Sequence, residues 1–316
     1  MPELPEVETI RRGLAKFIEH AKISHVEILC DKSFIGPKEV IEGQEITAIN
    51  RRGKALLIEL RNSITMMIHL RMTGQLIFRA CGTEDGKKLT KMVDSGQFDG
   101  KLADQSSFAG GHPTDSFFTA LPNKQTRVIF DITDQKGQQI GTLFFNDQRK
   151  FGFVKPIPTT EVEDDAFIKK LAKEPWDMSV DEFKKNLMRH KAAPVKATIL
   201  DQSVIAGVGN IYADEALFDA KIHPARETGS LKDDEIKNLL MAIVKVMDAS
   251  INSGGSTMAT YVRADGTKGD YLEKFAQVFR RENLPCYRCG TEIIKTRIAG
   301  RGTHICPNCQ KLGGKK

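Results

Sequence analysis

The chain has 316 residues, of which 40% are hydrophobic and 28% are charged, and its formal net charge is +6 at pH 7. This length suits two or three domains with real hydrophobic cores. No run of eighteen apolar residues occurs, which argues against a membrane span. The acidic N-terminus also lacks the apolar segment of a signal peptide, so the sequence predicts a cytosolic protein.

The charge is unevenly distributed along the chain. Residues 257–316 carry 12 Lys and Arg against 5 Asp and Glu, whereas the preceding 256 residues carry 35 against 36. A basic module beside a nearly neutral body is typical of a nucleic-acid-binding protein. Solvated basic tails are also common, so the charge distribution alone leaves both interpretations open.

The chain begins Met-Pro-Glu-Leu-Pro-Glu-Val-Glu-Thr. If Met1 is removed, Pro2 supplies a secondary amine, and α-amino groups titrate near pH ~7.7–8 and can condense with a sugar aldehyde carbon. Glu3 and Glu6 could move the protons that this chemistry requires. A plain helix start explains the same residues, because Pro5 suits the first helical turn and acids complement the helix dipole. Both interpretations can hold together.

Alternating apolar residues then indicate a mainly β domain. The Arg-Arg-Gly turn at 51–53 predicts a hairpin whose second strand opens with Lys54. Two layers of antiparallel strands carrying one helix form the expected architecture. Residues 79–123 lack sustained periodicity, and we expect an excursion or a disordered loop there. Strands are predicted at 23–28, 45–49, 55–60, 64–70, 126–132 and 139–145.

From about residue 158 the pattern becomes helical, and the last long helix ends at an Asn-Ser-Gly-Gly sequence. Before one of these helices, the Gly-Val-Gly-Asn sequence at 207–210 leaves backbone N–H groups beside a positive dipole end, which suits a phosphate. A tight turn would explain the two glycines equally well. Helices are predicted at 165–172, 180–189, 211–219 and 233–252, and short strands around 275–280 and 292–298.

The six cysteines fall into two groups. Cys30 and Cys81 are isolated, whereas the other four form two Cys-x2-Cys pairs separated by sixteen residues. That spacing matches a tetrahedral structural zinc site. Two disulfides would need an oxidising compartment, for which the sequence offers no support. We therefore predict one structural zinc ion, bound by Cys286, Cys289, Cys306 and Cys309.

The N-terminal stretch resembles that of the bacterial formamidopyrimidine-DNA glycosylases, and the other motifs follow in the order of that family. The resemblance covers nearly the whole chain except about 79–123, which we interpret as an insertion. It implies an α+β multidomain fold. Residues 1–156 would form a catalytic two-layer β-sandwich with an N-terminal helix, and 157–256 a helical helix–two-turns–helix domain. Residues 257–316 would hold a lesion-recognition loop and a β-hairpin zinc finger.

The resemblance also implies catalytic roles. Pro2 would be the nucleophile, Glu3 the acid–base group, and Glu6 would orient the N-terminus or stabilise the bound sugar. Lys54 matches a lysine that assists phosphate positioning and β-elimination, although residue type alone indicates only a solvated lysine. Arg301 matches the arginine that contacts the phosphate at the lesion and takes part in the second elimination.

The same resemblance implies contacts with damaged double-stranded DNA. Met72, Arg149 and Phe151 match the residues that fill the gap left by an everted base, although core packing would otherwise be the simpler interpretation for the two apolar ones. The segment that matches the family's duplex-probing loop also contains Lys150. Residues that grip the DNA backbone in the family match Lys196 and Asn210.

We therefore predict a monomeric glycosylase and abasic-site lyase that excises oxidised purines, such as 8-oxoguanine and formamidopyrimidines, with zinc as its only cofactor. Two departures from the family pattern concern damage preference: Gln125 replaces a DNA-contacting histidine, and Ala259 replaces a Lys or Arg of the loop over the flipped base. One alternative is an endonuclease VIII-like enzyme for oxidised pyrimidines, against which Leu4 argues. Another is a catalytically silent DNA-binding relative.

Overall fold

The protein is described from a computed structural model that covers residues 2–81, 107–112, 114–117, 119–255 and 271–312. The chain divides into two units, Met1–Ile168 with Gly254–Gly269 and Lys169–Ser253 with Asp270–Lys316. The three-part division inferred from the sequence stays a prediction. Within the covered ranges, no helix combines the length and the hydropathy needed to cross a bilayer.

Two antiparallel sheets form the first unit. One contains β1 (Lys22–Ile28), β5 (Gly74–Ala80), β6 (Ser107–Gly111), β7 (Thr126–Thr133) and β8 (Gln139–Asp147), in the order β1-β7-β8-β5-β6. The other contains β2 (Ile46–Arg52), β3 (Ala55–Leu60), β4 (Ile64–His69) and β9 (Phe153–Pro158), in the order β2-β3-β4-β9. One cluster of buried apolar side chains draws on both sheets, which confirms the predicted sandwich.

Helix α1 (Leu4–Ile18) follows directly from the N-terminal motif. Its apolar residues recur every three or four positions and join the core of the sandwich. A Cβ added at Gly13 would lie 2.1 Å from a ring atom of Phe108, so only glycine lets α1 approach strand β6 this closely. The helix that carries the proposed nucleophile is thus packed directly onto a sheet.

Strand β6 lies inside the segment for which the sequence showed no periodicity. It pairs antiparallel with β5, from Gln75 opposite Gly111 to Arg79 opposite Ser107. All five residues of β6 are buried, and four of them are Ser, Ala or Gly, so no alternation of large apolar and polar side chains was visible. The expectation of a structureless stretch is wrong at these residues.

The second unit contains the helical part and a two-stranded hairpin. The longest helix, α5, buries one apolar face, whereas α4 is buried over most of its surface. The helices are α2 (Val180–Leu187), α3 (Val195–Leu200), α4 (Asn210–Asp219), α5 (Asp233–Asn252) and α6 (Tyr271–Lys274), and the hairpin strands are β10 (Ile294–Ile298) and β11 (Arg301–Ile305). The predicted helical domain and C-terminal hairpin are confirmed.

The helix predicted at 165–172 is replaced by a single 3-10 turn at Ile168–Lys170. The Asp165 carboxylate accepts the backbone N–H of Phe167 at 2.8 Å and pairs with Lys155 at 2.5 Å. A side chain that caps nearby amides in this way favours a turn over a continued helix. The helix predicted from the apolar periodicity of this segment is therefore wrong.

The strand predicted at 275–280 is also absent from the described structure. The amides of Gln277, Val278 and Phe279 donate to the Glu215 carboxylate at 2.8, 3.0 and 2.7 Å, so they are not free for a strand partner. Glu215 comes from the buried helix α4, and burial raises its pKa against the effect of these three amides. Because a buried carboxylate must be bound by hydrogen-bond donors, these amides bind Glu215 and the segment forms no strand.

Candidate active site and nucleic-acid interface

The N-terminal motif of the first unit places Pro2, Glu3 and Glu6 together at the start of α1. Glu6 Oε2 accepts the backbone N–H of Glu3 at 2.8 Å, and the Glu3 side chain accepts the backbone N–H of Glu6. This reciprocal pair is a capping box. Pro2 is buried, Glu3 is 3% exposed, and the Glu6 carboxylate binds the amide of the residue that follows Pro2. The helix start and the candidate catalytic group coincide.

Lys54 lies in the two-residue turn between β2 and β3 and is 8% exposed, which rules out a freely solvated side chain. Gly53, at the first central position, has φ +56°, as tight hairpin turns of this kind require. Next to the turn, Ala55 pairs with His69 of β4. Burial, together with the charges of Arg71 and Lys54, lowers the pKa of His69 to about 3. Lys54 therefore has a neutral imidazole as neighbour.

Three of the predicted DNA-contacting residues form one exposed cluster in the first unit. Met72 follows β4 and is 42% exposed, whereas Phe151 precedes β9 and is 55% exposed. Arg149 Nη1 lies 3.0 Å from the Met72 sulfur, and its guanidinium carbon lies 4.9 Å from the centre of the Phe151 ring. Their exposure excludes the core-packing interpretation. An exposed apolar pair joined by a cation suits entry into a base stack.

The loop between β8 and β9 is organised by Asp147, which the sequence analysis did not single out. Its carboxylate accepts the amides of Arg149, Phe151 and Gly152 at 3.1, 2.8 and 2.7 Å, and also the Thr73 hydroxyl. Asp147 is fully buried, so these bonds hold the loop firmly. An Asn-Asp sequence at a strand end before a glycine is a recognisable turn signal that could have identified it.

Lys150 belongs to the same loop. Its side chain is exposed and its backbone has φ +57°, an uncommon conformation for a residue other than glycine. The loop thus turns its cationic side chain to solvent beside the apolar cluster. This position is compatible with a phosphate contact, which stays a prediction.

In the second unit, Lys196 is placed differently from the prediction. Its side chain is 1% exposed, and its ammonium lies 2.7 Å from Asp214 Oδ1 and donates to the Gly302 carbonyl at 2.8 Å and to Thr303 Oγ1 at 2.8 Å. Asp214 is fully buried on α4 and also accepts the backbone N–H of His304 at 3.0 Å. The geometry weighs against a direct DNA contact and makes Lys196 a support for the β10–β11 hairpin.

Asn210 begins α4 directly after the predicted glycine turn, in which Gly207 has φ +92°. Its Nδ2 donates to the Gly302 carbonyl at 3.1 Å, so the same carbonyl is held by two of the predicted DNA-contacting residues. Arg301, the neighbour of Gly302, is exposed and opens β11 after the Ala299–Gly300 turn. The structure thus brings Asn210, Lys196 and the backbone beside Arg301 together.

The four paired cysteines also converge in the second unit. Their sulfur atoms all lie within 4.8 Å of one another, with 4.0 Å between Cys286 and Cys309 and 3.4 Å between Cys289 and Cys306. A tetrahedral zinc with Zn–S bonds of ~2.3 Å places its sulfurs ~3.8 Å apart, so the donor set fits this ion. Hydrogen bonds from Thr291 and other neighbours lower the pKa of Cys289 to about 5.

Of the two departures from the family pattern, Gln125 lies within the described residues. It is half-buried, and its side-chain oxygen accepts a hydrogen bond from Ser116 Oγ at 3.1 Å. It therefore contributes to the segment that leads into β7. Ala259 lies outside the described residues.

Three family models match the chain in sequence: the formamidopyrimidine-DNA glycosylase N-terminal domain at residues 1–154, the H2TH domain of the same enzymes at 171–262, and a zinc finger found in these enzymes and in isoleucyl-tRNA synthetases at 283–312. The chain belongs to the formamidopyrimidine-DNA glycosylase family. Members of this family are DNA glycosylases with abasic-site lyase activity. The resemblance drawn from the motifs is confirmed.

Curated relatives match over their whole length. The formamidopyrimidine-DNA glycosylase of Pelotomaculum thermopropionicum is 37% identical over 318 residues, covering 99% of this chain and 100% of the relative. That of Pediococcus pentosaceus is 36% identical with the same coverage. Among solved structures, the MutM (Fpg) protein from Thermus thermophilus has a TM-score of 0.77 at 32% identity, covering 99% of this chain and 100% of that one.

A second solved structure carries DNA. It is a complex between a Lactococcus lactis Fpg mutant and DNA that contains Fapy-dG, with a TM-score of 0.79 at 32% identity, covering 98% of this chain and 100% of that one. The fold that this chain adopts therefore binds damaged DNA in a relative.

Proposed function

We propose that this protein is a bifunctional DNA repair enzyme that excises oxidised purines, such as 8-oxoguanine and formamidopyrimidines, from duplex DNA and then nicks the strand. The observation that carries the proposal is the exposed cluster of Met72, Arg149 and Phe151, fixed by the buried Asp147. A silent relative would have no need of a preassembled group for filling the gap of an everted base. The family membership and the DNA-bound relative support the same conclusion.

The proposed chemistry begins with removal of Met1, which converts the Pro2 nitrogen into a secondary amine. That amine attacks C1′ of the everted nucleotide, the bond to the base breaks, and the base leaves with the bonding electrons and a proton. Glu3 moves the proton, and Glu6 holds the N-terminus through the capping box. The C1′–O4′ bond of the sugar then opens, O4′ takes up a proton, and C1′ and the proline nitrogen form an iminium. The iminium makes the C2′ proton acidic, and loss of that proton expels the 3′ phosphate. Loss of a C4′ proton from the conjugated product then expels the 5′ phosphate.

Lys54 and Arg301 assist the two eliminations in this proposal, each as a cation for a phosphate. Arg301 presents a planar guanidinium that can bind a phosphate with two hydrogen bonds. Lys150 and Asn210 contribute backbone contacts that position the duplex without reading its sequence. Lys196 contributes indirectly, because its ammonium holds the hairpin that carries Arg301.

We also propose that Cys286, Cys289, Cys306 and Cys309 hold one zinc ion. Four protein thiolates leave no open coordination position, so the ion would stabilise the hairpin and take no part in the reaction. The monomeric state and the cytosolic location stay predictions.

Borohydride trapping tests the proposal. The protein, shown by mass spectrometry to have lost Met1, is mixed with duplex DNA that carries one 8-oxoguanine or one abasic site, reduced, and run on a denaturing gel. Pro2→Gly serves as the control, since it keeps a residue after which Met1 is removed. We expect a covalent adduct with both substrates and a much weaker one with the variant.

Two other outcomes identify the alternatives. An adduct with abasic DNA alone would retain the Schiff-base chemistry and direct attention to oxidised pyrimidines as substrates. The absence of any adduct from correctly processed protein would overturn the enzymatic proposal and leave a DNA-binding relative.

A further inference from the structure

Glu8, the last acidic residue of the N-terminal motif, forms the centre of a charged cluster to which the proposed mechanism gives no role. It lies on α1, six residues after Pro2, and is 7% exposed. Its Oε1 accepts hydrogen bonds from Arg11 Nη2 at 2.8 Å and Arg12 Nε at 2.7 Å. Its Oε2 accepts from Arg11 Nε at 3.0 Å and Arg51 Nε at 3.0 Å. One carboxylate is thus bound by three guanidinium groups.

The cluster connects α1 to the hairpin that carries Lys54. Arg51 belongs to β2, its side chain is 11% exposed, and its Nη1 donates to the Gly53 carbonyl at 3.1 Å. Gly53 is the residue before Lys54. A second link runs from Arg11 Nη1 to the Ile49 carbonyl of β2, at 3.3 Å. A continuous chain of hydrogen bonds therefore leads from the nucleophile helix to the lysine turn.

The charge of Glu8 is essential to this arrangement. Burial tends to raise the pKa of Glu8, but the hydrogen bonds of Arg11, Arg12 and Arg51 outweigh it and lower the pKa to about 2. The carboxylate is therefore ionised at neutral pH. Without it, the three arginines would lose the carboxylate that they share, and their mutual repulsion would increase.

We infer that Glu8 is a positioning residue, which fixes the Lys54 turn relative to the N-terminus so that Pro2 and Lys54 address the same sugar–phosphate unit. The inference rests on the proposed roles of these two residues. A merely stabilising Glu8 would hold the fold without affecting the reaction in the folded enzyme. The arginines of the cluster distinguish a positioning role from a stabilising one, because they differ in the other groups that they contact.

The matched variants are Glu8→Gln, Arg51→Gln and Arg12→Gln. Arg12 donates to the same carboxylate but is 55% exposed, whereas Arg51 continues to the turn. In single-turnover cleavage of abasic duplex, we expect Glu8→Gln and Arg51→Gln to slow the strand nick that follows adduct formation about 10- to 100-fold, the scale of a small misplacement of reacting groups. Arg12→Gln should stay within about 2-fold, as for an exposed ion pair.

Three further readouts separate a local effect on the Lys54 turn from a general loss of folding. Binding to a duplex with a non-reactive tetrahydrofuran abasic site should change less than about 3-fold, because the loss concerns the reaction geometry. The double variant Glu8→Gln with Arg51→Gln should react no more slowly than the slower of the two single variants, because both substitutions break the same chain of hydrogen bonds. Amide hydrogen exchange of residues 50–57 should be faster in Glu8→Gln and Arg51→Gln than in Arg12→Gln.

The outcomes are distinguishable. Strand cleavage at the wild-type rate in both Glu8→Gln and Arg51→Gln, whatever the exchange rates, would overturn the positioning role and leave the proposed function intact. Equal losses in all three variants would indicate simple stabilisation by charge and would also overturn it. No adduct with the wild-type protein would overturn the proposed function, and this inference with it. Should Glu8→Gln fail to fold, Arg51→Gln against Arg12→Gln gives the same decision.

Discussion

Each unit of this protein uses a helical carboxylate to hold a hairpin, but the two carboxylates have different surroundings. In the first unit, Glu8 shares its charge among three arginines, one of which is 55% exposed. In the second unit, Asp214 is fully buried and lies 2.7 Å from the ammonium of Lys196, itself 1% exposed. Solvent can replace Arg12 at the first site, whereas both members of the second pair are shielded from water.

This difference determines how each network responds to substitution. Removing one partner of a buried pair leaves an uncompensated charge, which costs far more than the pair itself contributes. At the Glu8 cluster, two arginines remain when one is lost, which limits the loss of stability, so the main effect is on geometry. We therefore expect changes in the second unit to lower stability and changes in the first unit to alter activity.

Loss of the proposed zinc ion should have the largest effect and would test the second unit most severely. Cys306→Ser removes a buried cysteine of the proposed site, and we expect loss of zinc and a stability loss of at least several kcal/mol, since structural zinc binds small fingers with about 10–16 kcal/mol. Metal analysis by mass spectrometry and thermal unfolding by circular dichroism measure both. Cys81→Ser, at an exposed isolated cysteine, is the control. A Cys306→Ser protein with unchanged metal content and unfolding would contradict the assignment.

Lys196→Met should be next in size. It leaves Asp214 charged and buried, which is expected to lower the free energy of unfolding by about 3–5 kcal/mol in urea titration. The matched control is Lys245→Met, because Lys245 pairs with Asp219 at 2.9 Å but is 69% exposed, and it should cost about 0–1 kcal/mol. Adding Asp214→Asn to Lys196→Met should recover part of the loss. Equal losses in the two single variants would remove the contrast between buried and surface pairs.

Phe151→Ala should affect activity in the first unit with little change in stability. Because Phe151 is 55% exposed, we expect the free energy of unfolding to change by less than about 0.5 kcal/mol. Excision of 8-oxoguanine should slow about 10- to 100-fold, since the side chain no longer offsets unstacking. Leu29→Ala, another apolar residue of this unit at 47% exposure, should leave the rate unchanged. If both variants excise equally fast, the cluster has no part in base eversion.

The smallest expected effect is a pH dependence in the first unit. His69 has a pKa lowered to about 3, so it stays neutral in the folded protein, whereas the unfolded chain takes up its proton below pH 6.5. Stability is therefore lost as the pH falls through 6.5. Between pH 7 and pH 5 this contributes about 2 kcal/mol, which His69→Gln should abolish. Urea unfolding of both proteins at the two pH values measures it, and identical pH dependence would show that His69 is not the titrating group.

Much of the site follows from local sequence. The N-terminal motif indicated Pro2 with two nearby carboxylates, and the capping box places Glu3 and Glu6 at that position. The cysteine spacing predicted a cluster whose sulfurs do converge. Such features are recognisable because the chemistry depends on residues a few positions apart in one turn or helix.

Other features depended on contacts between distant residues. The residue type of Lys196 does not show whether its side chain is exposed or buried. Its burial depends on the ion pair with the buried Asp214 of α4. The sequence did not determine the exposure of Phe151 either. An aromatic residue near a strand can pack in a core or can contact DNA from an exposed loop. Strand β6 is stabilised by pairing with β5 and by packing on α1. Its small residues give no sequence signal of either contact.

The sequence by itself thus determined the family, the order of the motifs, the sandwich and hairpin elements and the grouping of the four paired cysteines, because each is encoded in local spacing. The tertiary structure alone decided which charged residues are buried, how Glu8 joins α1 to the Lys54 turn, and how far the pKa of His69 is lowered. Those properties depend on desolvation and on partners tens of residues away, and no local pattern specifies either.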